Sequence, residues 1–319
     1  MTNRRPIVLV TGATGFVGRS LLPLLEQEGW TVRAAVRRPS GHRNEVVIGS
    51  IGPETDWRAA LAGVDAVVHL AARVHHPEDR DAEEPYLALN VGGSLRLARS
   101  AIEAGVRHFI FASTALVYGR NNDGNRPFNE DDVLTPNNPY GRSKVEAERG
   151  LSSLVQDHAM GVTIVRPPLV YGPGAKGNFA LLVKAARLGV PLPFAAIRNR
   201  RAFVSVQNLS SFIASRLSIA GGGYEIFLVS DEEQVSTPEF FRRLAKAAGG
   251  KARLFPAPAP LLGALLTLGG RQDARQSLVG SLELNISKAC STGWRPPLTL
   301  DEGLHLALSK SESQISASF

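Results

Sequence analysis

An apolar strand, a glycine-rich turn and a helix follow one another within the first thirty residues, and this order constrains the fold of the chain more than any other feature. Ile7-Val8-Leu9-Val10 is an apolar, largely β-branched run that reads as a buried parallel strand. Thr11-Gly12-Ala13-Thr14-Gly15-Phe16-Val17-Gly18 comes next, with its glycines at three-residue spacing, and helical periodicity runs from Phe16 to Glu28. A helix that starts there aims its free N–H groups and the positive end of its dipole at whatever lies over the turn. Gly12 permits the tight turn, Gly15 lets the backbone approach a phosphate, and Gly18 lets the helix close on the strand. The combination predicts a cradle for the diphosphate of a dinucleotide, with Thr14, Phe16 and Val17 beside it.

The second strand, Thr31 to Val36, ends in Arg37-Arg38. A site selective for NAD usually places an acid there for the ribose hydroxyls. Two guanidiniums instead suit a 2′-phosphate, so NADP(H) is favoured and NAD(H) remains possible. Arginine is common throughout, however: only seven of the 36 basic residues are Lys.

Further along, Tyr140 and Lys144 lie four residues apart in Pro139-Tyr140-Gly141-Arg142-Ser143-Lys144, a spacing that puts both on one face of a helix. A free phenol has a pKa near ~10. A neighbouring ammonium, with the charge of an oxidised nicotinamide, is expected to favour the phenolate. Tyr140 can then take a proton during oxidation or give one during reduction. Phe111-Ala112-Ser113-Thr114 ends a strand 26 residues before Tyr140 and offers a hydroxyl for a substrate oxygen.

With these segments in place the chain resembles the extended short-chain dehydrogenases/reductases, the sugar-nucleotide epimerase/dehydratase/reductase superfamily, from about residue 6 to about residue 306. The markers are the glycine turn, His69-Leu70-Ala71-Ala72, Asn90-Val91, Ser113-Thr114 with Val117-Tyr118-Gly119, Tyr140 to Lys144, Arg166-Pro167-Pro168-Leu169-Val170-Tyr171-Gly172-Pro173-Gly174, and Gly293-Trp294-Arg295-Pro296-Pro297. The resemblance implies a catalytic set of Thr114, Tyr140 and Lys144. It implies that Ser50, Ile51, Leu70, Ala71, Ala72, Asn90, Ser113 and the Pro167–Val170 segment line the cofactor. It also implies a UDP-sugar substrate, with Asn178 and Arg201 at the diphosphate and Leu192 and Phe194 along the uracil; Phe194 can equally be core.

Departures from the family pattern narrow the chemistry. Gly49-Ser50-Ile51 stands where many relatives have Gly-Asp-Ile, and Leu169 where 4-epimerases often carry Asn. Ala115-Leu116 replaces the Asp-Glu pair of 4,6-dehydratases, and water elimination needs those acids. Three readings stay open. The whole-chain pattern most resembles 4-reductases of UDP-4-keto-6-deoxy-N-acetylglucosamine in O-antigen synthesis. A UDP-hexose 4-epimerase with bound NAD is the alternative, and a non-catalytic NADP-binding sensor is the remote one.

A chain of 319 residues can bury a full core. One cysteine, Cys290, excludes an internal disulfide and suits a cytoplasmic enzyme. The apolar stretch Ala257 to Leu268 is broken by Pro258, Pro260 and Gly263 and falls short of the ~20 residues of a membrane span. The net charge of +7 attracts anions, and nucleotide sugars and NADP are anionic; no nucleic-acid motif is present. No metal role is expected for His75 and His76, which read as loop residues.

Strands are expected at 7–10, 31–36, 45–48, 66–69, 108–112, 162–166 and 225–229, and helices at 15–28, 56–62, 83–104 and 143–159. Their alternation predicts an α/β fold with a doubly wound parallel Rossmann sheet and a smaller C-terminal substrate domain. Residues 1–172, with a return of 201–232, make the dinucleotide-binding part. Residues 173–200 and 233–312 make the substrate part, and 313–319 is a tail. A homodimer is expected through helices 83–104 and 143–159, using Ala98, Ala101, Ala104, Ala147 and Leu151.

Overall fold

The computed structural model describes residues 4–74, 83–218, 222–257 and 278–309. His75, His76, the Pro258–Leu268 part of the apolar stretch and the tail fall outside them. The chain divides into two compact units. The first comprises Met1–Gly119, Val133–Pro167 and Ser210–Leu228; the second comprises Arg120–Asp132, Pro168–Leu209 and Val229–Phe319.

The first unit is built on strands β1 (Ile7–Thr11), β2 (Thr31–Val36), β3 (Glu45–Val47), β4 (Ala66–His69), β5 (His108–Ala112) and β6 (Gly161–Arg166), completed by a late strand, Tyr224–Leu228. All pair in parallel, in the order β3-β2-β1-β4-β5-β6 and then the late strand. Strands covered on both faces need apolar side chains at nearly every position. Val8, Leu9 and Val10 in β1 and Phe109, Ile110 and Phe111 in β5 are accordingly all buried. Each predicted strand of this sheet is present, with ends shifted by at most one residue.

Helix α1 (Phe16–Gln27) buries Gly18, Leu21, Leu22 and Leu25. The helix expected at 56–62 shortens to α2 (Arg58–Leu61). The helix expected at 83–104 is three pieces: α3 (Glu84–Tyr86), a π-helical stretch over Leu87–Gly93, and α4 (Ser94–Glu103). Helix α5 (Pro139–Val155) begins before the expected 143. The reason is local: the Asn138 side chain accepts the Gly141 N–H at 2.6 Å, and Pro139 fits the first helical turn. Tyr140 and Lys144 therefore both ride on the helix.

Ala98, Ala101, Ala147 and Leu151 are wholly buried in their own chain, packed with Trp57, Leu97, Phe109 and Phe111. These four side chains cover the sheet and offer no surface to a second copy; of the five expected dimer contacts, Ala104 alone is exposed. The small residues that looked like an interface are small because helix and sheet approach closely. Gly150 is small for a different approach, that of α5 to α4: a Cβ there would lie 2.7 Å from Leu95 Cδ1.

In the second unit, strands β7 (Leu169–Tyr171) and β8 (Phe203–Ser205) form a separate parallel pair. Helices α6 (Asn178–Arg187), Thr237–Ala247 and Leu300–Ser309 enclose a core of Tyr171, Phe179, Phe203, Phe240, Phe241, Leu244 and Leu304. Phe203 stacks on Phe240 with ring centroids 4.0 Å apart. Buried Asp231 accepts from the Ser205 N–H, the Asn208 amide and the Tyr171 hydroxyl, which fixes β7 to the end of β8.

Candidate active site

The glycine turn has the geometry of an anion cradle. Gly12 sits at φ +69, and a Cβ on it would lie 2.8 Å from Ala71 N. Gly15 N–H donates back to Gly12 O at 2.9 Å, and Gly15 precedes α1 with no side chain capping the helix. A Cβ on Gly18 would fall 2.4 Å from Gly12 O and 2.5 Å from Ala13 O. The N-terminus of α1 is thus pressed onto the turn, with its leading N–H groups open and no acid in its first turn. Thr14 and Gly15 are exposed, while Phe16 and Val17 are half-buried. These residues fit a dinucleotide diphosphate.

The Leu70-Ala71-Ala72 segment is tied to the same turn. Ala71 N–H donates to Thr11 Oγ1 at 3.2 Å, and Leu70 N–H donates to Thr11 O at 3.2 Å. Thr11 Oγ1 also meets His69 Nδ1 at 2.6 Å, and His69 Nε2 meets Ser94 Oγ at 2.8 Å. Burial, helped by the Lys144 charge, pushes the His69 pKa down to about 3. His69 is therefore a neutral spacer that sets the distance between the glycine turn and α4.

Asn90, which the resemblance places along the cofactor, makes its described hydrogen bonds within the protein. It is fully buried in the π-helical stretch. Its Oδ1 accepts from Arg73 N–H at 2.8 Å, and its Nδ2 donates to Arg73 O and to Ser143 Oγ at 3.0 and 2.9 Å. Its amide is used up in fastening the 70–73 segment to α5. Ile51 lies against the same stretch, with its Cγ2 2.6 Å from where a Gly93 Cβ would be. Ser50 is exposed.

Arg37 and Arg38 follow β2, are exposed, and make no ion pair or hydrogen bond with another described residue. The loop after them, Ser40 to His42, borders a cavity of about 470 Å³ that is also lined by Ala13, Thr14, Arg19 and Glu26. None of Thr114, Tyr140 and Lys144 lines it.

Those three residues lie on β5's end and α5. Lys144 is buried, donates from Nζ to Ala112 O at 2.7 Å, and sits 4.3 Å from the centre of the Phe111 ring. Burial brings its pKa down to about 7, against an upward pull from Glu148. In the chain alone, burial raises the Tyr140 pKa to about 12. The ammonium is 5.9 Å from the Tyr140 ring centre, and its donated hydrogen bond goes to the main chain. In the protein alone Tyr140 is thus a protonated acid. Thr114 Oγ1 accepts the Leu116 N–H at 3.2 Å, which leaves its own proton to donate.

Ser113, which the resemblance places along the cofactor, donates its hydroxyl to Glu148. Glu148 and its partner Arg166 were missed by the sequence reading; the available signal was that Glu148 lies four residues beyond Lys144, on the same helical face. Pro167 is buried and its carbonyl accepts the Ala115 N–H at 2.8 Å; Val170 is half-buried in β7.

In the second unit Asn178 is exposed as the first residue of α6. Arg201 is nearly buried, exchanges main-chain hydrogen bonds with Val235, and donates from Nη1 to Gly280 O at 2.5 Å. Its pKa is drawn down to about 10 by burial. Leu192 is half-buried and bridges to Leu254. Phe194 is buried with Ile197 and meets Phe241 edge-on, so its ring serves as core. Among the described residues no helix is long and apolar enough to cross a membrane, and no cluster of ligands is placed to hold a metal.

The family model of the NAD dependent epimerase/dehydratase family matches residues 8–226. The UDP-glucose 4-epimerase of Vibrio cholerae is 39% identical over 303 residues, covering 93% of this chain and 92% of the relative. The GDP-6-deoxy-D-mannose reductase of Pseudomonas aeruginosa is 28% identical and covers 99% of each chain. The structure of MoeE5 in complex with UDP-glucuronic acid and NAD superposes with a TM-score of 0.78 at 27% identity, covering 96% of this chain and 99% of that one.

Proposed function

The chain belongs to the NAD dependent epimerase/dehydratase family, and within it we propose a 4-ketoreductase that reduces a UDP-linked 4-keto-6-deoxy sugar with NADPH. The observation that carries this reading is the exposed, unpaired Arg37-Arg38 end of β2. Such a pair suits the 2′-phosphate of a cofactor that enters and leaves at every turnover. Tyr140 can give a proton to a carbonyl oxygen in reduction, the step this reading asks of it.

The first unit would hold the cofactor. The glycine turn and the N-terminus of α1 take the diphosphate, and Lys144 takes the nicotinamide ribose. Held there, NADPH would supply the hydride that reduces the carbonyl carbon. Thr114 donates a hydrogen bond to the carbonyl oxygen and fixes its direction. Tyr140 passes its phenolic proton to that oxygen, giving the alcohol, and the Lys144 ammonium stabilises the phenolate left behind. The second unit would hold the UDP-sugar, with Asn178 and Arg201 at the diphosphate and Leu192 beside the base.

A 4-epimerase reading rests on the 39% identical Vibrio cholerae relative. Incubation with UDP-4-keto-6-deoxy-GlcNAc and NADPH or NADH separates the two. Stoichiometric loss of reduced-cofactor absorbance supports the reductase. Interconversion of UDP-glucose and UDP-galactose without added reductant, and no cofactor oxidation with the keto sugar, supports the epimerase.

A further inference from the structure

Two successive turns of α5 grip the end of β5. Lys144 Nζ donates to Ala112 O at 2.7 Å, and one turn later Glu148 accepts from Ser113 Oγ. Glu148 is in turn held by Arg166 at the end of β6, through Nε to Oε1 at 3.2 Å and Nη2 to Oε2 at 2.5 Å. Arg166 Nη1 donates to the Tyr118 hydroxyl, and the guanidinium lies 5.0 Å from the Tyr118 ring centre. The segment Ser113–Tyr118 is thus fastened at its first residue by Glu148 and at its last by Arg166, with Thr114 between. Both members of the ion pair are almost fully buried, their side chains 2% and 3% exposed.

Stability alone is a poor reason for such a pair. A buried ion pair loses hydration on both partners, and well-packed apolar residues are often as stable. What this pair supplies is direction: it joins the strand end that carries Thr114 to the helix that carries Tyr140 and Lys144. We propose that Glu148 and Arg166 are positioning residues for the reaction, holding the Thr114 hydroxyl in register with Tyr140 and Lys144. This rests on the reading of those three as the reacting set.

The pair also acts on the charge of Lys144. The titratable groups that meet that ammonium are Tyr140 and Glu148 on its own helix and His69 from β4; Arg166 from β6 pairs with Glu148, and Tyr224, on the late strand, donates to the Glu148 main-chain oxygen at 3.1 Å. Glu148 supports the charged form of Lys144, so loss of its carboxylate makes Lys144 neutral at lower pH.

The test is steady-state kinetics of the full chain with NADPH and UDP-4-keto-6-deoxy-GlcNAc, or with UDP-glucose if that is what wild type turns over. Glu148→Gln should lower kcat about 10²-fold, the scale of a ~1 Å misplacement, leave the KM of the sugar nucleotide little changed, and move the alkaline limb of kcat to lower pH. Glu148→Asp should restore the position of that limb without restoring kcat, because it returns the charge but not the reach. If Glu148→Gln fails to fold for want of a partner to Arg166, Ser113→Ala decides. It keeps the ion pair and removes only the link to β5, and kcat should fall by about tenfold or more. Wild-type kcat in Ser113→Ala, or wild-type kcat and pH profile in a folded Glu148→Gln, overturns the proposal. Tyr140→Phe is measured alongside: if it is fully active, the reading of the reacting set fails first.

Discussion

Gly18→Ala tests the cradle with the smallest possible perturbation, a single methyl group. That methyl would sit 2.4 Å from Gly12 O, 2.5 Å from Ala13 O and 2.7 Å from Ala13 C, whereas real Cβ contacts essentially never fall below 3.0 Å. All three neighbours are backbone, so no side chain can swing aside; the turn must retreat from α1 by about 0.6 Å or more. Overpacking of this kind costs about 1–3 kcal/mol. If the strain falls on the cofactor-bound geometry, the Kd for NADPH rises about 5- to 150-fold, since each ~1.4 kcal/mol is tenfold. Strain that falls on the fold instead lowers Tm by several degrees. The control is Gly52→Ala, whose new methyl meets nothing within 4 Å and whose φ is not positive. Calorimetric titration of NADPH and thermal unfolding of both variants are the assays. A Gly18→Ala protein with wild-type Kd and wild-type Tm would refute the contact between turn and helix on which the cradle rests.

Tyr140→Phe should reduce turnover by about 10²–10⁴-fold while NADPH affinity stays near wild type; activity within a few-fold of wild type would remove the phenol from the mechanism. Replacing Arg37 and Arg38 by Ser should raise the KM for NADPH about tenfold or more and that for NADH much less, and equal effects would end the NADP preference. Arg201→Ala should weaken UDP binding in calorimetry more than exposed Arg198→Ala does, and leave NADPH binding alone; equal UDP affinities would take Arg201 off the diphosphate. His69 predicts a pH effect on stability. Its pKa falls on folding from 6.5 to about 3 because the ring is buried, so between those values the unfolded chain binds the extra proton. Its contribution is therefore complete above pH 6.5 and is lost as pH drops towards about 3. Urea unfolding of His69→Gln should fall off less steeply over that window, though buried His108, with a pKa of about 4, keeps some of the slope; an unchanged slope would contradict the assignment.

The sheet was legible because each of its strands is an apolar run bounded by turn residues. Strands β7 and β8 went unseen because Leu169–Tyr171 and Phe203–Ser205 pair only with each other, outside the alternating strand–helix order that marks the main sheet. The glycine turn and the Tyr140/Lys144 spacing are local patterns, so their chemistry could be anticipated. What stayed hidden depends on contacts between distant positions. Glu148 and Arg166 are 18 residues apart and Ser113 lies 35 before Glu148, so only the fold shows that their side chains meet. The hydrogen bonds of Asn90 to Arg73 and Ser143 likewise join positions 17 and 53 residues apart. For Tyr140 the sequence shows the ammonium four residues on but not the burial that raises the phenol's pKa in the chain alone.

The π-helical stretch Leu87–Gly93 gives one continuous helical rod two phases. Its early part turns Asn90 towards the Arg73 main chain, and its later part, as α4, turns Leu97, Ala98 and Ala101 towards the sheet. A regular α-helix of the same length would advance by a fixed ~100° per residue and could satisfy only one of these partners. The widened turn absorbs the mismatch, so a single deletion within Leu87–Gly93 is expected to turn either Asn90 away from Arg73 or Leu97, Ala98 and Ala101 away from the sheet.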